Sequence, residues 1–203
     1  MNKKEFSLEV GGDSSKSGKA KTLTAEFNDL ADQANGAVMV RYGNTVVLAT
    51  AVMGDLRDGD FFPLTVDYEE RFYATGKILG SRFMRREGRP STEAILSGRI
   101  VDRTIRPLFN QKMRNEVQIV VTTISIDQDD PDVVAVIAAS LALGTSDIPW
   151  NGPVSAVRIG DSPNRAGHKN NEWLVNPDFK ARDEAGVTLD MIACGKDGTI
   201  NMM

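Results

Sequence analysis

Residues 91–143 read STEAILSGRIVDRTIRPLFNQKMRNEVQIVVTTISIDQDDPDVVAVIAASLAL, and three different periodicities follow one another within them. The spacing over 91–109 is helical. Ser91 or Thr92 can cap the start after Pro90, Glu93 lies in the first turn where the helix dipole favours a carboxylate, and Pro107 limits the far end. Residues 116–126 are β-branched and continuous, which predicts a buried strand. Asp132 to Leu143 reads as an alanine-rich buried helix closed by Gly144.

Upstream of this stretch the pattern belongs to strands. Residues 61–69 predict one, with Pro63 at a start, an edge or a bulge. Residues 36–42 and 45–53 predict two more, joined by Gly43-Asn44, a dipeptide suited to a tight hairpin turn. Residues 5–10 alternate like a strand, and 11–22 form a small-residue, glycine-containing flexible loop. Downstream, strands are expected near 154–159 and 172–175, separated by the polar loop 161–171, followed by a hairpin-like pair at 187–194 and 198–203. Strands in hairpins come first and helices later, so the class is α+β, a mixed or antiparallel sheet packed with helices rather than a series of βαβ repeats. The chain stops at Met203 inside a strand, and residues 1–203 read as one domain incomplete at its C-terminus.

Composition narrows the function classes. The 203 residues are 41% hydrophobic and 26% charged, ordinary for a globular protein. No apolar run approaches the ~20 residues of a membrane span, and neither a secretory signal nor a transit peptide opens the chain. The single cysteine, Cys194, and single histidine, His168, exclude an internal disulfide and a His/Cys zinc site within one chain. These features predict a cytoplasmic protein with no membrane partner.

The net charge is −4, yet residues 80–109 hold seven arginines (Arg82, Arg85, Arg86, Arg89, Arg99, Arg103, Arg106) against three acids (Glu87, Glu93, Asp102), a local charge of +4. At 100° per residue, Arg99, Arg103 and Arg106 share a narrow helix face, while Ile100, Val101, Ile105, Leu108 and Phe109 lie on the other side. Like charges at these spacings repel. Two arrangements would offset that: ion pairs with acids elsewhere in the chain, or a polyanion, whose phosphate oxygens match the planar guanidinium fork. Phe83 beside Arg82, Arg85, Arg86 and Arg89, on a loop bracketed by Gly80 and Gly88, suits single-stranded nucleic acid, with arginines on phosphates and a ring on a base. Phe83 could equally anchor the loop on the core.

These segments, together with FFPLTVDYEERFYATGKILG (61–80) and DPDVVAVIAASLALGTSDIPWNGPVSAVRIG (130–160), resemble the first ribonuclease-PH-type domain of the polynucleotide phosphorylase family, from Leu23 onward. The resemblance implies a phosphate-dependent 3′-to-5′ exoribonuclease that releases nucleoside diphosphates from RNA. It also implies inorganic phosphate as co-substrate, Mg²⁺, a homotrimeric ring and partners in RNA degradation. It assigns the loop with Phe83, Arg85 and Arg86, and Arg103 and Arg106 on the helix, to RNA binding, although the family's Phe-Phe-Arg-Arg is Phe83-Met84-Arg85-Arg86 here; the loop and helix-face patterns add Arg89 and Arg99 to these candidates. The loop matching the family's phosphate site is Ile126 to Asp132, and its four aspartates would repel phosphate and serve the helix dipole as solvated surface. No metal site is expected in this domain, nor a catalytic residue. Asp190, which resembles a catalytic aspartate of the active domain, is a weak candidate, more consistent with a plain strand residue. The expectation is therefore a domain that grips RNA and builds the ring, with phosphorolysis in a second domain. The alternative is a non-catalytic RNA-binding or ring-scaffold module.

Overall fold

The structure is a computed structural model, and it describes residues 3–10, 21–78, 88–161, 173–183 and 187–203. Six strands form the first sheet: β1 (Lys4–Val10), β2 (Lys21–Phe27), β3 (Gly36–Tyr42), β4 (Thr45–Leu56), β5 (Leu64–Glu70) and β6 (Asn115–Ser125). Their order is β1-β2-β3-β4-β6-β5. Neighbours are antiparallel except β5 and β6, which run parallel from Leu64↔Val117 to Glu70↔Thr123. A parallel pair needs a crossover, and helix α1 (Thr92–Ile105) lies within it. The sheet is thus mixed, as expected, and contains one βαβ unit.

Four further strands make a second sheet of order β10-β9-β7-β8, comprising β7 (Ser155–Asp161), β8 (Trp173–Val175), β9 (Asp190–Lys196) and β10 (Thr199–Met202). Helix α2 (Pro131–Gly144) packs on β3, β4 and β6 and also reaches β7, so it joins the two sheets. Its composition suits that place, because Val133, Val134, Ala135, Val136, Ala138, Ala139, Ala142 and Leu143 are all buried and the helix is apolar on every side. It sits hard on the sheet: a Cβ on Gly36 would stand 2.1 Å from the Ala142 carbonyl oxygen.

The β3–β4 hairpin turns at Gly43-Asn44 with Gly43 at φ +58°, in the left-handed region that glycine adopts without strain. Helix α1 buries Ala94, Ser97, Gly98, Val101, Thr104 and Ile105 on one face, and Ser91 caps it by accepting from the Ala94 N–H. Pro107 ends the α-helix in a short 3-10 turn, Arg106–Leu108. β5 begins after Pro63 at the sheet edge, three residues later than the sequence pattern places its start.

Three features differ from expectation. Strand β2 is not anticipated by the sequence pattern. It takes Lys21 and Thr22 from the expected 11–22 loop, whose residues 11–20 lie outside the described residues. The strands after residue 154 form a separate sheet rather than extending the first. A four-residue helix, α3 (Phe179–Arg182), capped by Asp178, precedes β9.

Candidate nucleic-acid interface

The outer face of α1 carries Arg99 and Arg103, both exposed. Among the described residues neither forms an ion pair or a side-chain hydrogen bond. Arg106 shares their side but is half-buried and engaged. Its Nε donates to Asp102 Oδ2 at 3.0 Å and its Nη2 to Asp102 Oδ1 at 2.6 Å and to the Leu64 carbonyl at 3.1 Å. The arginine stripe therefore splits into two available guanidinium groups and one that fastens α1 to β5. A groove of about 430 Å³ runs between β5 and α1, with Arg99, Asp102 and Arg106 on its wall. Arg89 is exposed where the chain enters α1. Phe83, Arg85 and Arg86, with Arg82, lie outside the described residues.

Next to this groove, at the C-terminal end of β5, a second cavity of about 660 Å³ is lined in part by Phe72, Lys77, Arg89 and Ser91. Glu70 on its wall accepts from Ser91 Oγ at 2.9 Å, and Glu69 accepts from Arg71 Nη2 at 2.5 Å.

The aspartate loop before α2 sits where the two sheets meet, and it departs from the solvated surface expected of it. Asp129 and Asp130 are buried. Asp129 pairs with Lys21, and its carbonyl accepts from Thr45 Oγ1 at 2.8 Å. Asp130 caps α2 by accepting from the Asp132 N–H at 2.9 Å and also pairs with Arg158 and Arg182, the latter at 2.9 Å. The same two arginines hold Asp190 on β9. Arg158 reaches it with Nε at 2.5 Å and Nη2 at 2.7 Å, and Arg182 with Nε at 3.1 Å. The Arg158 guanidinium keeps the Asp190 carboxyl below its ordinary range. Asp127 is exposed and accepts from Asn44 Nδ2 at 2.9 Å.

Asp132 lies two residues into α2 and meets Ser97 of α1. Burial, aided by the adjacent Asp130 carboxylate, pushes its carboxyl up to about 6. Cys194 is buried, and burial raises its thiol. His168 lies outside the described residues.

Lys21, Arg158 and Arg182 are the residues that sequence reasoning missed. Arg158 lies 28 residues from Asp130 and 32 from Asp190, and Arg182 lies 52 from Asp130, so no local spacing connects them. The only hint was four aspartates close together in the sequence, a set of charges that burial would require to be paired. Chemically, the exposed α1 face can contact an anion, whereas the loop at 126–132 is closed by internal ion pairs. Among the described residues no group of three or more His, Cys, Asp or Glu side chains is arranged to hold a metal, and no helix is long and apolar enough to cross a membrane.

The chain is similar to known proteins. The 3′ exoribonuclease family, domain 1, matches residues 19–149. The chain is similar to the polyribonucleotide nucleotidyltransferase of Exiguobacterium sibiricum, with 45% identity over 203 residues, 99% of this chain and 25% of that protein. The enzyme of the same name from Chloroflexus aurantiacus is 50% identical over 186 residues, 90% of this chain and 23% of that protein. The one from Bacillus cereus is 44% identical over 203 residues, 99% of this chain and 26% of that protein. The chain thus spans about a quarter of the length of these relatives. Its fold is that of a chain from the Archaeoglobus fulgidus exosome with RNA bound to the active site, at a TM-score of 0.61 and 18% identity, covering 89% of this chain and 75% of that one. The match over residues 19–149 and the level of identity to full-length relatives make the chain a member of the 3′ exoribonuclease (RNase PH) family, represented here by its domain 1.

Proposed function

We propose that the chain is the RNA-gripping, ring-building first part of a phosphate-dependent 3′-to-5′ exoribonuclease that releases nucleoside diphosphates from RNA. Phosphorolysis itself belongs to a second domain. The observation that carries this reading is a contrast within one molecule. Arg99 and Arg103 are exposed on α1, while the loop matching the phosphate site is occupied by the chain's own Asp130, Asp190, Arg158 and Arg182. The similarity to polyribonucleotide nucleotidyltransferases at 44–50% identity supports the whole-protein activity. At that level inorganic phosphate is the co-substrate, Mg²⁺ the cofactor, the assembly a homotrimer with partners in RNA degradation, and the compartment the cytoplasm.

Mg²⁺ does not fit the described residues of this domain. The carboxylates that could bind it, Asp130 and Asp190, already accept charge-assisted hydrogen bonds from two guanidinium groups, and a hard divalent cation would have to displace both arginines. The same closure favours a second reading, a purely non-catalytic RNA-binding or scaffold module.

The role of the RNA-facing residues is tested by binding labelled oligo(A) and oligo(U) to the 203-residue chain across a salt series. Arg99→Ala with Arg103→Ala, and separately Arg85→Ala with Arg86→Ala, should weaken both RNAs about equally. Each pair should also flatten the slope of log K against log salt by roughly 0.7 for each phosphate that is no longer neutralised. Wild-type affinity of both double variants at every salt concentration would assign these arginines to protein contacts instead.

A further inference from the structure

The sequence contains two Asn-Gly dipeptides, Asn35-Gly36 and Asn151-Gly152. This pairing is prone to lose the asparagine amide, because glycine leaves the following backbone nitrogen unshielded. The fold treats the two in opposite ways. We propose that Asn151-Gly152 is a self-modification site, where the Gly152 nitrogen attacks the Asn151 side chain and converts it to aspartate and isoaspartate, and that Lys196 promotes the attack. The inference does not depend on the RNA-gripping reading.

Asn35 is locked at both ends of its amide. Its Oδ1 accepts from the Met53 N–H at 2.9 Å, and its Nδ2 donates to Asp147 Oδ1 at 2.9 Å. Gly36 is the first residue of β3, pairs with Ala51 of β4 and lies against α2. Attack there has to break both side-chain bonds and move a residue that is packed on two sides.

Asn151 is exposed in the irregular stretch between α2 and β7. Among the described residues its side chain forms no hydrogen bond, and nothing accepts from the Gly152 N–H. The Asn151 carbonyl, which shares a peptide group with the Gly152 nitrogen, accepts from Lys196 Nζ at 2.5 Å, and the Gly152 carbonyl accepts from the same ammonium at 3.4 Å. A cation on a peptide oxygen stabilises the anion left when the N–H gives up its proton, and that anion is the nucleophile. Packing fixes glycine at this position, since a Cβ on Gly152 would stand 2.0 Å from the Trp150 ring.

The chemistry needs only water and hydroxide. The Gly152 N–H gives its proton to hydroxide, and the nitrogen forms a bond to Asn151 Cγ. The Cγ–Nδ2 bond breaks, and the amide nitrogen takes a proton from water and leaves as ammonia, which returns the hydroxide. Water then opens the cyclic succinimide at either carbonyl, giving aspartate or isoaspartate, with no change of oxidation state. Isoaspartate lengthens the main chain by a methylene between two anchored points: the Asn151 N–H, which donates to the Leu108 carbonyl at 3.1 Å, and the Val154 N–H, which donates to Ser140 Oγ at 2.9 Å. Both products place a carboxylate beside Lys196.

The 203-residue chain is incubated at pH 8, folded and in guanidinium chloride, and digested at intervals, and the peptides spanning residues 35 and 151 are followed by mass spectrometry. In the folded chain Asn151 should convert at least about tenfold faster than Asn35, whose two hydrogen bonds must break first. In denaturant Asn151 should slow and Asn35 should speed up, so that the two rates converge. Lys196→Met should slow Asn151 in the folded chain about three- to tenfold and leave Asn35 unchanged. Lys196→Arg, which keeps the charge, should keep the fast rate. Asn35 converting as fast as Asn151 in the folded chain, or Asn151 converting faster in denaturant than in the folded chain, overturns the site. A folded Lys196→Met that converts like wild type overturns the role of Lys196. If that variant does not fold, the comparison of folded and denatured wild type decides instead.

Discussion

Asp130 and Asp132 stand two residues apart at the start of α2, yet they have different surroundings. Asp130 faces two guanidinium groups, whereas Asp132 is driven up to about 6 by burial and by the neighbouring Asp130 carboxylate, with Glu70 adding to the effect. A carboxyl whose folded value lies above its unfolded value near 4 holds its proton longer in the folded state. Folding stability therefore falls as pH rises from about 4 to about 6 and is level above that. Asp132→Asn should remove this fall and make the protein more stable at pH 8 by an amount on the order of 1–3 kcal/mol, measured by urea denaturation at pH 4.5 and 8. Asp190 has the opposite sign. Its depressed carboxyl contributes stability above the unfolded value, lost as pH drops through the folded one, so its effect appears only below about pH 4. The arginine that depresses it is itself 13% exposed and its partner Asp130 8% exposed. Arg158→Ala leaves that carboxylate with Arg182 alone and should cost about 3 kcal/mol, the lower end of the range for breaking a buried pair. Adding Asp130→Asn, which keeps the helix cap, should recover part of the loss. Equal stability of Arg158→Ala and wild type in the same denaturation assay would show the pair to be energetically idle.

Among the elements, α1 and α2 differ in how they meet the sheet, and their nearby glycines respond differently to a methyl group. A Cβ on Gly98 would lie 3.4 Å from the Tyr68 Cβ and 3.7 Å from the Val66 carbonyl oxygen, ordinary contact. Gly98→Ala should therefore raise stability by about 0.5–1 kcal/mol through helix propensity and a less flexible unfolded chain. Gly36→Ala meets the α2 backbone at 2.1 Å. It should cost about 1–3 kcal/mol, because the helix must lift from β3. Thermal unfolding of the two variants side by side checks both signs. The helices are readable in the sequence because each carries its own punctuation: Ser91 at the cap of α1, Pro107 at its end, and an unbroken apolar run in α2. The arginine face is equally readable from 3.6-residue geometry, but the fate of Arg106 is not, since the Leu64 carbonyl that fixes it is 42 residues away. Strand β2 escapes the sequence pattern because only Ala25 of its seven residues is buried, so its alternation is faint against a polar neighbourhood. The parallel pairing of β5 with β6 and the separation into two sheets depend on long-range pairing that local periodicity does not encode.

At the scale of the whole molecule, the two faces of the site predict opposite behaviours toward RNA: contact without chemistry. Phosphorolysis requires inorganic phosphate beside the terminal RNA linkage and groups that stabilise charge as the bond breaks. In this chain the loop before α2 presents Asp129 and Asp130 buried against Lys21, Arg158 and Arg182, so these three cations already hold carboxylates. Asp190 is bonded by the same arginines and lacks the freedom to bind a metal. Incubated with poly(A), phosphate and Mg²⁺, the 203-residue chain should release no ADP above a protein-free control, at any Mg²⁺ concentration in the millimolar range. Removing the arginines should not create activity either, because Arg158→Ala with Arg182→Ala opens a carboxylate pocket that repels phosphate. The useful contrast is with binding: the same preparation should retain oligo(A) in a salt-dependent manner through the α1 face. ADP release in proportion to protein concentration, abolished by Asp190→Asn, would place the chemistry in this domain and require the ion-paired geometry around Asp190 to open during turnover.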